Sequence, residues 1–351
     1  MTAPAVSVIV VNHRSAVEAG ECVRSLRDAF QAEGMRGEIV LVDCDSGADE
    51  VRALEALPAD TRVFLPENRG YSGGVNAGLQ RARSARLLLA NADVVFLPGA
   101  LPALLSEIED ASVGAAAPLC VWDAEGRLRM PADSATGFFG ELAGLRAGRS
   151  PGRDGRRFAR FAMRTLRLWE EGGDAGHLVG AVIAARRDVF DRVGPFDERF
   201  LFEYEETEWE DRVRRAGLRL RFTPRARVRH LFARSASRNP DTQRRRTASR
   251  RLYRQMRYGR LGRAILERAG NRPAPAIATA ISEPAIAARP GSWLALSTNA
   301  SVIPFAGTPL DRDFRLDPEV ARSLPPGFVY LRTFRASDGQ PLETAVWEKP
   351  A

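Results

Sequence analysis

Short apolar runs alternate with helical periodicity over the first hundred residues of the chain. Residues 6–11 (VSVIVV) and 38–42 (EIVLV) are nearly unbroken apolar runs, which are typical of strands buried on both faces of a parallel sheet. Residues 62–65 and 86–89 repeat the pattern, with helical spacing between the runs. This alternation predicts an α/β fold with a mostly parallel, doubly wound, Rossmann-like sheet.

Polar side chains stand where these predicted strands end. Asn12 and His13 follow the first strand, Asp43 the second, and Asn91 and Asp93 the fourth. In doubly wound sheets the ligand site lies outside the carboxyl ends of the strands. Asp43 could there accept a hydrogen bond from a pyrimidine N3–H, and Asp93 could hold a divalent cation that bridges two phosphates. Taken singly, each aspartate is more often a helix cap or a turn residue.

A run of carboxylates at residues 196–212 (FDERFLFEYEETEWEDR) contrasts with the basic chain around it. Such neighbours repel each other unless a proton or a cation offsets their charge. Alternating aromatic residues give way to helical spacing, which places Glu205 and Glu206 at a junction between an extended segment and a helix. Carboxylates also suit a helix N-terminus. Glu210 and Asp211 are interpreted as part of an ordinary solvated helix face.

Residues 67–78 (ENRGYSGGVNAG) form a glycine-rich turn that opens a predicted helix. No Gly-Lys-Ser/Thr follows, and the turn does not come after the first strand, so it is neither a P-loop nor a dinucleotide fingerprint. Backbone N–H groups at such a helix start can face an anion. Glycines at these positions equally suit tight packing, and both interpretations stay open.

Net charge points to an anionic partner. The chain carries a formal charge of +8, almost wholly from arginine, with Lys349 as the only lysine. The arginine guanidinium group forms bidentate hydrogen bonds with phosphates and carboxylates, so a nucleotide, a phospholipid surface or a nucleic acid is a plausible partner. Residues 244–263 carry nine arginines and no acid on a predicted helix. No apolar run reaches the length of a membrane span, no signal pattern opens the chain, and three scattered cysteines suit a reducing cytoplasm.

The chain is predicted to contain two domains and a linker. Residues 1–268 are predicted to form the α/β domain, residues 269–291 an Ala/Pro-rich linker, and residues 292–351 a small all-β appendage. Residues 123–175 are less regular, and residues 148–157 (GRSPGRDGRR) are predicted to be a polar loop. Residues 218–222 and 228–231 are predicted as two separate strands.

Ordered motifs over residues 5–260 resemble the family 2 glycosyltransferases, which are inverting enzymes of the GT-A fold, and within them the bacterial rhamnosyltransferase-like subgroup. The segments that carry the resemblance are VSVIVVNHRS, EIVLVDCDS, ENRGYSGGVNAGL, LLLANADVVF and the block at residues 178–230 that begins LVGAVIAARR and ends RARVRH. Residues 249–257 resemble the basic helix that follows in the family. The resemblance does not extend beyond about residue 260.

The resemblance implies an inverting, metal-dependent hexosyltransferase of cell wall or polysaccharide biosynthesis. Rhamnose from a dTDP donor is the favoured sugar, and the acceptor is a glycan or a lipid-linked hydroxyl. By this resemblance, Glu206 stands at the position of the catalytic base, with Glu205 beside it. Asp93 and His230 stand at the positions of the ligands for Mg²⁺ or Mn²⁺. The implied nucleotide-sugar-binding residues are Asn12, His13, Asp43, Arg69, Gly73, Gly74, Asn76 and Asn91.

Some positions depart from the family pattern. Glu206 stands where the family usually has aspartate, and Glu208 replaces a later aspartate. Ala92 replaces a proline, and His13 replaces a tyrosine. None of these changes removes a functional group that the chemistry needs, but the glutamate at the base position is one methylene longer.

Other functions compete with this interpretation. The chain could transfer a hexose or an N-acetylhexosamine from a UDP donor, or be a non-catalytic scaffold that binds nucleotide sugars. A nucleic-acid-binding protein would also have an arginine-rich helix and a high pI, but the acidic run beside the glycine-rich turn weighs against it, and no nucleic-acid partner is expected. The helix at 244–263 is expected to contact the inner face of a membrane peripherally, since its apolar residues are few.

Overall fold

The computed structural model describes residues 3–133, 137–146, 151–231, 242–269 and 278–350. The chain divides into two compact units that alternate along the sequence. The first unit comprises Met1–Cys120 and Gly172–Tyr253, and the second comprises Val121–Glu171 and Arg254–Ala351.

The strands of the first unit lie before and after an insertion that belongs to the second. Their bounds are β1 Val6–Asn12, β2 Gly37–Cys44, β3 Thr61–Leu65, β4 Arg86–Asn91, β5 Val94–Phe96, β6 Val113–Val121, β7 Gly173–Asp174, β8 Val182–Arg186 and β9 Arg219–His230. The strands of the second unit are β10 Thr279–Ile281, β11 Ala285–Ile286, β12 Ser292–Ser297, β13 Ala306–Pro309, β14 Phe314–Arg315, β15 Gly327–Arg335 and β16 Pro341–Lys349.

The helices of the described residues follow in chain order. They are α1 Ala16–Ala32, α2 Ala48–Glu55, α3 Gly70–Leu79, α4 Ala100–Glu107, α5 Phe138–Leu145, α6 Pro151–Glu171, α7 Arg187–Val193, α8 Glu205–Arg215, α9 Thr242–Ala269 and α10 Pro318–Ser323. The strand–helix alternation over β1 to β4 confirms the predicted α/β class.

The sheet of the first unit has a parallel core, with antiparallel strands joined to it. Among the described residues its nine strands run in the order β3-β2-β1-β4-β8-β6-β9-β5, with β7 paired to β9. β1, β2, β3 and β4 are parallel, and every residue of β1 is buried, as its β-branched composition predicts. Register brings Asn12 opposite Asp43 and Val11 opposite Asn91, so the polar strand ends share one edge.

One strand prediction is wrong. Residues 218–222 and 228–231 do not form two strands, because the intervening residues continue the ladder as the single strand β9. Its last residue, His230, pairs with Val94 of β5. The long strand therefore brings a histidine from late in the chain to the residues that follow β4.

The second unit is rich in strands, as expected for the C-terminal region. Its larger sheet has five strands in the order β10-β16-β15-β12-β13 among the described residues, and β11 pairs with β14. The helix α6 belongs to the same unit. The Trp169 ring stacks on Trp293 at 5.4 Å between centroids, and Phe158 packs edge-on against Phe334. These aromatic contacts explain why residues 121–171 group with the C-terminal strands.

The prediction of a polar loop at residues 148–157 is wrong from Pro151 onward, where α6 begins; residues 147–150 lie outside the described part of the chain. Proline suits the first turn of a helix, and Phe158, Ala162, Thr165 and Trp169 follow helical spacing and are all buried. Of the residues that suggested a loop, the arginines and glycines from 152 to 157 occupy the first turns of this helix. The domain boundaries at 268 and 291 stay a prediction.

The arginine-rich segment forms the helix α9, which is longer than the predicted 244–263 and is interrupted at Gly259 with φ 69°. The linker at 269–291 contains β10 and β11, while its residues 270–277 lie outside the described part of the chain. Within the described ranges, no helix combines the length and the apolar character needed to cross a membrane.

Candidate active site

The ends of β1 and β2 form a polar cradle at the sheet edge. Asn12 donates through Nδ2 to Asp43 Oδ1 at 2.8 Å, and both side chains are buried. Ser46 fixes the other side of Asp43, since its backbone N donates to Oδ2 at 3.0 Å. Asn12 Oδ1 is buried and has no hydrogen-bond partner among the described residues. The structure therefore brings the predicted Asn12 and Asp43 together and holds the aspartate in one orientation.

His13 continues this edge. Its Nδ1 lies 2.8 Å from the Cys44 carbonyl oxygen, and Asn68 Nδ2 lies 3.2 Å from its Nε2. Burial lowers the pKa of His13, the hydrogen bond to Cys44 opposes this, and the positive charges of Arg14 and Arg245 lower it further. The ring is thereby favoured in its neutral form, beside two arginines that could face an anionic group.

The glycines of α3 are explained by packing. A Cβ on Gly74 would lie 2.5 Å from Val11 Cγ1, and one on Gly73 would lie 2.4 Å from Arg69 Cβ. Gly70 has φ +71°, and its Cα approaches the Leu201 carbonyl too closely for a side chain. Of the two interpretations left open by the sequence, packing accounts for the missing side chains. Direct contact of Gly73 and Gly74 with a nucleotide stays a prediction.

Two other predicted binding residues tie α3 to the acidic segment. Asn76 donates to the Phe196 carbonyl and to Glu198 Oε1, both at 2.9 Å, and accepts from the Phe196 N–H. Arg69 forms an ion pair with Glu198. These contacts position residues 196–198 against the start of α3, and nucleotide binding by Arg69 and Asn76 stays a prediction.

Asp93 and His230 meet at the same edge. His230 Nε2 lies 3.2 Å from Asp93 Oδ1, and both side chains are buried. The Leu231 N–H donates to the Asp93 carbonyl at 2.9 Å, which fixes the two chain segments. Asn91, which is half-buried, lies two residues before Asp93 and donates its N–H to the Ala181 carbonyl. The two predicted metal ligands are thus adjacent, although they lie 137 positions apart in a 351-residue chain.

This donor pair fits a divalent cation. Neighbouring ligands of an octahedral ion at about 2.1 Å are separated by about 3 Å, close to the observed spacing of Asp93 and His230. In the described part of the chain no cluster of three or more His, Cys, Asp or Glu side chains is arranged to hold a metal. Mg²⁺ is commonly bound by one or two carboxylates together with substrate phosphates and water, and neutral imidazole is a common ligand of other metal ions. Asp93 and His230 are therefore the residues that would hold an ion shared with a diphosphate.

The acidic junction begins at a strained turn. Glu203 and Tyr204 have φ of 61° and 72°, which lie in the left-handed region that residues other than glycine rarely adopt. α8 starts at the next residue, Glu205. Trp209 anchors the helix, because its ring stacks on Phe190 at 4.7 Å and its Nε1 donates to the Gly194 carbonyl at 3.1 Å. Strain of this kind persists where surrounding structure enforces it, often at functional sites.

Glu205 and Glu206 face inward, and the described residues supply no basic partner for either carboxyl. The Oε2 atoms of both carboxyls are buried, and neither has a hydrogen-bond partner among the described residues. Burial and then the negative charge of Glu206 raise the pKa of Glu205 well above its usual value. Burial is also the main cause that raises the pKa of Glu206 to about 7, with Glu210 and Glu203 adding to it. A carboxyl that titrates near neutral pH is suited to accept and release a proton.

Tyr71 is a site residue that the sequence analysis missed. Its hydroxyl is buried and has no hydrogen-bond partner among the described residues. Burial raises the pKa of Tyr71 well above its usual value, and the negative charges of Glu206, Glu205 and Asp93 raise it further. The hydroxyl therefore lies near the acidic junction and Asp93. The one feature of the sequence that could have indicated Tyr71 is its position inside the glycine-rich turn at residues 67–78.

Glu210 and Asp211 do not form a solvated face, so that interpretation is wrong. Glu210 is fully buried, and its Oε2 lies 3.1 Å from His177 Nδ1. Asp211 is buried and accepts from the Tyr253 hydroxyl at 3.0 Å. Helical spacing alone could not reveal this, because their partners come from distant parts of the chain.

Comparisons with known proteins identify the class. The family model for glycosyl transferase family 2 matches residues 7–194, more than half of the chain. The chain therefore belongs to glycosyl transferase family 2, which confirms the predicted family, the GT-A fold and the enzyme class. The match ends before the acidic junction, so the roles of Glu205, Glu206 and His230 rest on the geometry given above.

Three similar proteins illustrate the likeness. The chain is 31% identical over 160 residues to N-acetylglucosaminyl-diphospho-decaprenol L-rhamnosyltransferase of Mycobacterium tuberculosis, covering 44% of this chain and 49% of the relative. It is 34% identical over 111 residues to the succinoglycan biosynthesis protein ExoO of Rhizobium meliloti, covering 31% of each. The mannosyltransferase PcManGT from Pyrobaculum calidifontis, solved with GDP-Man and Mn²⁺, has a TM-score of 0.47 at 18% identity and 79% coverage of each chain. The chain spans between 31% and 49% of the length of the curated relatives it matches.

The protonation of Glu206 can be measured without substrate. We expect the infrared carbonyl stretch of a protonated carboxyl to disappear with a midpoint near pH 7 as pH rises, because burial raises the pKa of Glu206 to about 7. Glu206→Gln should remove this titrating absorption. Glu208→Gln is the matched control, since Glu208 lies on the same helix but 2.9 Å from Arg212. A midpoint near the ordinary glutamate value of about 4.3 would contradict the assignment.

Proposed function

We propose that the protein transfers a sugar from a nucleoside diphosphate donor to an acceptor hydroxyl, with inversion at the anomeric carbon and with the help of Mg²⁺ or Mn²⁺. Rhamnose from a dTDP donor is the first choice of sugar. A glycan or lipid-linked sugar is the first choice of acceptor. The name of the M. tuberculosis relative, a rhamnosyltransferase that acts on a lipid diphosphate, supports both choices.

The observation that carries the proposal is the inward-facing carboxyl of Glu206 with its raised pKa. The acceptor hydroxyl attacks the anomeric carbon, the bond from that carbon to the phosphate oxygen breaks, and the bonding electrons leave with the diphosphate. Glu206 takes the hydroxyl proton. Because inversion requires attack from the face opposite the leaving group, the base and the phosphate-binding residues must lie on different sides of the sugar.

The other residues bind and orient the donor. Asn12 and Asp43 are preorganised by their 2.8 Å hydrogen bond and are proposed to hold the nucleoside. Asp93 and His230 are proposed to hold the cation, which when bound would neutralise the negative charge of the departing diphosphate. Burial and the negative charge of Glu206 raise the pKa of Glu205 well above its usual value, and Glu205 is proposed to contact the sugar.

Glu206→Gln tests the base. The change is nearly isosteric, so donor affinity should stay close to wild type while turnover falls by about 10²- to 10⁴-fold, the usual contribution of a positioned base. Wild-type turnover should fall as pH drops through about 7, because a protonated Glu206 cannot accept a proton. The assay is transfer from dTDP-rhamnose to a polyprenyl-diphosphate-linked N-acetylglucosamine.

Glu55→Gln, an exposed position on α2, is the matched control and should leave turnover unchanged. If Glu206→Gln weakened donor binding as strongly as turnover, Glu206 would belong to the donor site and the proposed role would be wrong.

Asp93→Asn tests the cation site. We expect calorimetry to show that Mn²⁺ strengthens the binding of dTDP to wild type and that this effect is lost in the variant, since a neutral amide is a weak ligand for a hard cation. The exposed Asp28→Asn is the control. Equal Mn²⁺-dependent binding in Asp93→Asn and wild type would exclude Asp93 as the ligand. Measuring UDP and GDP in the same way as dTDP shows which nucleobase the protein prefers. Donor binding without any sugar transfer would favour a non-catalytic scaffold.

We also propose contact with an anionic membrane surface through α9. No acid lies within residues 244–263, and two arginines of this segment have partners elsewhere in the chain: Arg246 pairs with Glu203 at 2.8 Å, and Arg254 pairs with Glu141 at 2.7 Å. The second of these pairs ties α9 to α5, a mostly apolar helix (FFGELAGL) with no buried residue. Phe139 on α5 is 81% exposed and Leu261 on α9 is 74% exposed. Exposed apolar side chains among arginines suit a membrane interface.

Arg257→Gln with Arg260→Gln tests this contact, because both arginines are exposed on α9. We expect co-sedimentation with anionic liposomes at low salt, less at high salt because the attraction is screened, and less for the double variant. Arg312→Gln with Arg315→Gln removes the same charge elsewhere in the same unit and should co-sediment like wild type. Equal co-sedimentation of both double variants, or none by wild type, would exclude this surface.

A further inference from the structure

A buried acid and a histidine lie behind the acidic junction without a role in the proposed reaction. Glu210 has no exposed surface, and His177 is only 6% exposed. Nδ1 of His177 lies 3.1 Å from Glu210 Oε2, and the Leu178 N–H donates to the same carboxyl at 3.1 and 3.2 Å. An ionised carboxylate can only accept hydrogen bonds, and this one receives them at both oxygens. The surroundings of Glu210 are therefore built for its charged form.

This pair lies on the face of α8 that carries Glu206. Residues four apart on a helix are neighbours, with about 5–6 Å between their Cβ atoms, so Glu210 lies one turn beyond Glu206. The chain segment that leads into β8 runs along this face. Its Leu178 N–H binds Glu210, and a Cβ on its Gly180 would lie 2.9 Å from Glu206 Cγ and 3.0 Å from Glu206 Cδ. One segment thus contacts both carboxyls.

We propose that the buried pair of His177 and Glu210 positions Glu206 and sets the charge that its carboxyl experiences, and thereby the pH range in which the enzyme works. The proposal rests on the role of Glu206 as the base. Neither residue of the pair touches substrate in this scheme. Each acts through Glu206 and through the segment at 177–180 that holds it.

Other charges also face Glu206 and must be distinguished from the pair. Glu203 and Glu205 precede it on its own segment, and Tyr71 of α3 is close enough for the charge of Glu206 to raise the pKa of Tyr71. Arg214 carries a positive charge beside the pair, since its Nη1 donates to the carbonyl of Gly176, the residue before His177, at 2.9 Å. Among these groups the negative charge of Glu210 raises the pKa of Glu206, whereas His177 lowers it. The two members of the pair therefore act in opposite directions.

This opposition gives a signature that loss of packing would not produce. Glu210→Gln keeps the shape of the side chain and removes its charge, so the infrared midpoint of Glu206 should fall by roughly one pH unit, the order expected for a unit charge at a partly buried site. His177→Gln removes the group that offsets Glu210, so the midpoint should rise. Glu208→Gln also removes a negative charge from α8, but that charge is paired with Arg212, so the infrared midpoint of Glu206 should stay at the wild-type value.

Turnover provides the second measurement. The pH at which half of the maximal rate is lost should move down in Glu210→Gln and up in His177→Gln, in step with the infrared midpoints. Midpoints that stay at the wild-type value in both variants, or that move in the same direction, would overturn the proposal. If Glu210→Gln does not fold, the rise expected for His177→Gln still decides the question. Because the infrared midpoint needs no substrate, its result stands even if the proposed sugar transfer is wrong.

Discussion

The candidate site depends on two adjacent glutamates, Glu205 and Glu206, which bury carboxyl oxygens for which the described residues supply no hydrogen-bond partner. An isolated buried charge is expensive, and a carboxyl responds by binding a proton more tightly. Glu205 and Glu206 do so to different extents, with Glu206 titrating near pH 7 and Glu205 well above its usual range. Two neighbouring carboxyls with different affinities for a proton can serve different roles, one as a base and one as a hydrogen-bond donor.

Packing around α8 enforces this arrangement. Trp209 holds the helix in place by stacking on Phe190. Glu203 and Tyr204 have left-handed backbone conformations and form the turn that leads into Glu205, the first residue of α8. The absent side chain of Gly180 leaves room for the Glu206 carboxyl. At the sheet edge, the parallel strands end in Asn12 and Asp43, which are joined by a hydrogen bond of 2.8 Å. Regular secondary structure thus holds both the proposed base and the residues proposed to bind the nucleoside.

Much of the polar sheet edge formed by the ends of β1, β2 and β4 could be predicted from the sequence, because it follows from local patterns. Buried β-branched runs predict parallel strands, and their ends predict where Asn12, Asp43 and Asp93 lie. Contacts between distant segments could not be predicted in the same way. The burial of Glu210 depends on His177, and the helix α6 depends on aromatic partners such as Trp293 more than a hundred residues later. The pattern of Gly73 and Gly74 left packing and ligand contact open, and only their surroundings show that packing accounts for the missing side chains.

We propose that one edge of the sheet brings together a nucleoside-binding pair, a cation-binding pair and a base. Crystals grown with Mn²⁺ and dTDP would test this proposal through anomalous scattering at the manganese edge. We expect one manganese peak within coordination distance of Asp93 and His230 and of the diphosphate, with the pyrimidine at Asp43 and the Glu206 carboxyl facing the space beyond the terminal phosphate. A manganese peak away from Asp93, or a nucleotide bound away from Asn12 and Asp43, would contradict it.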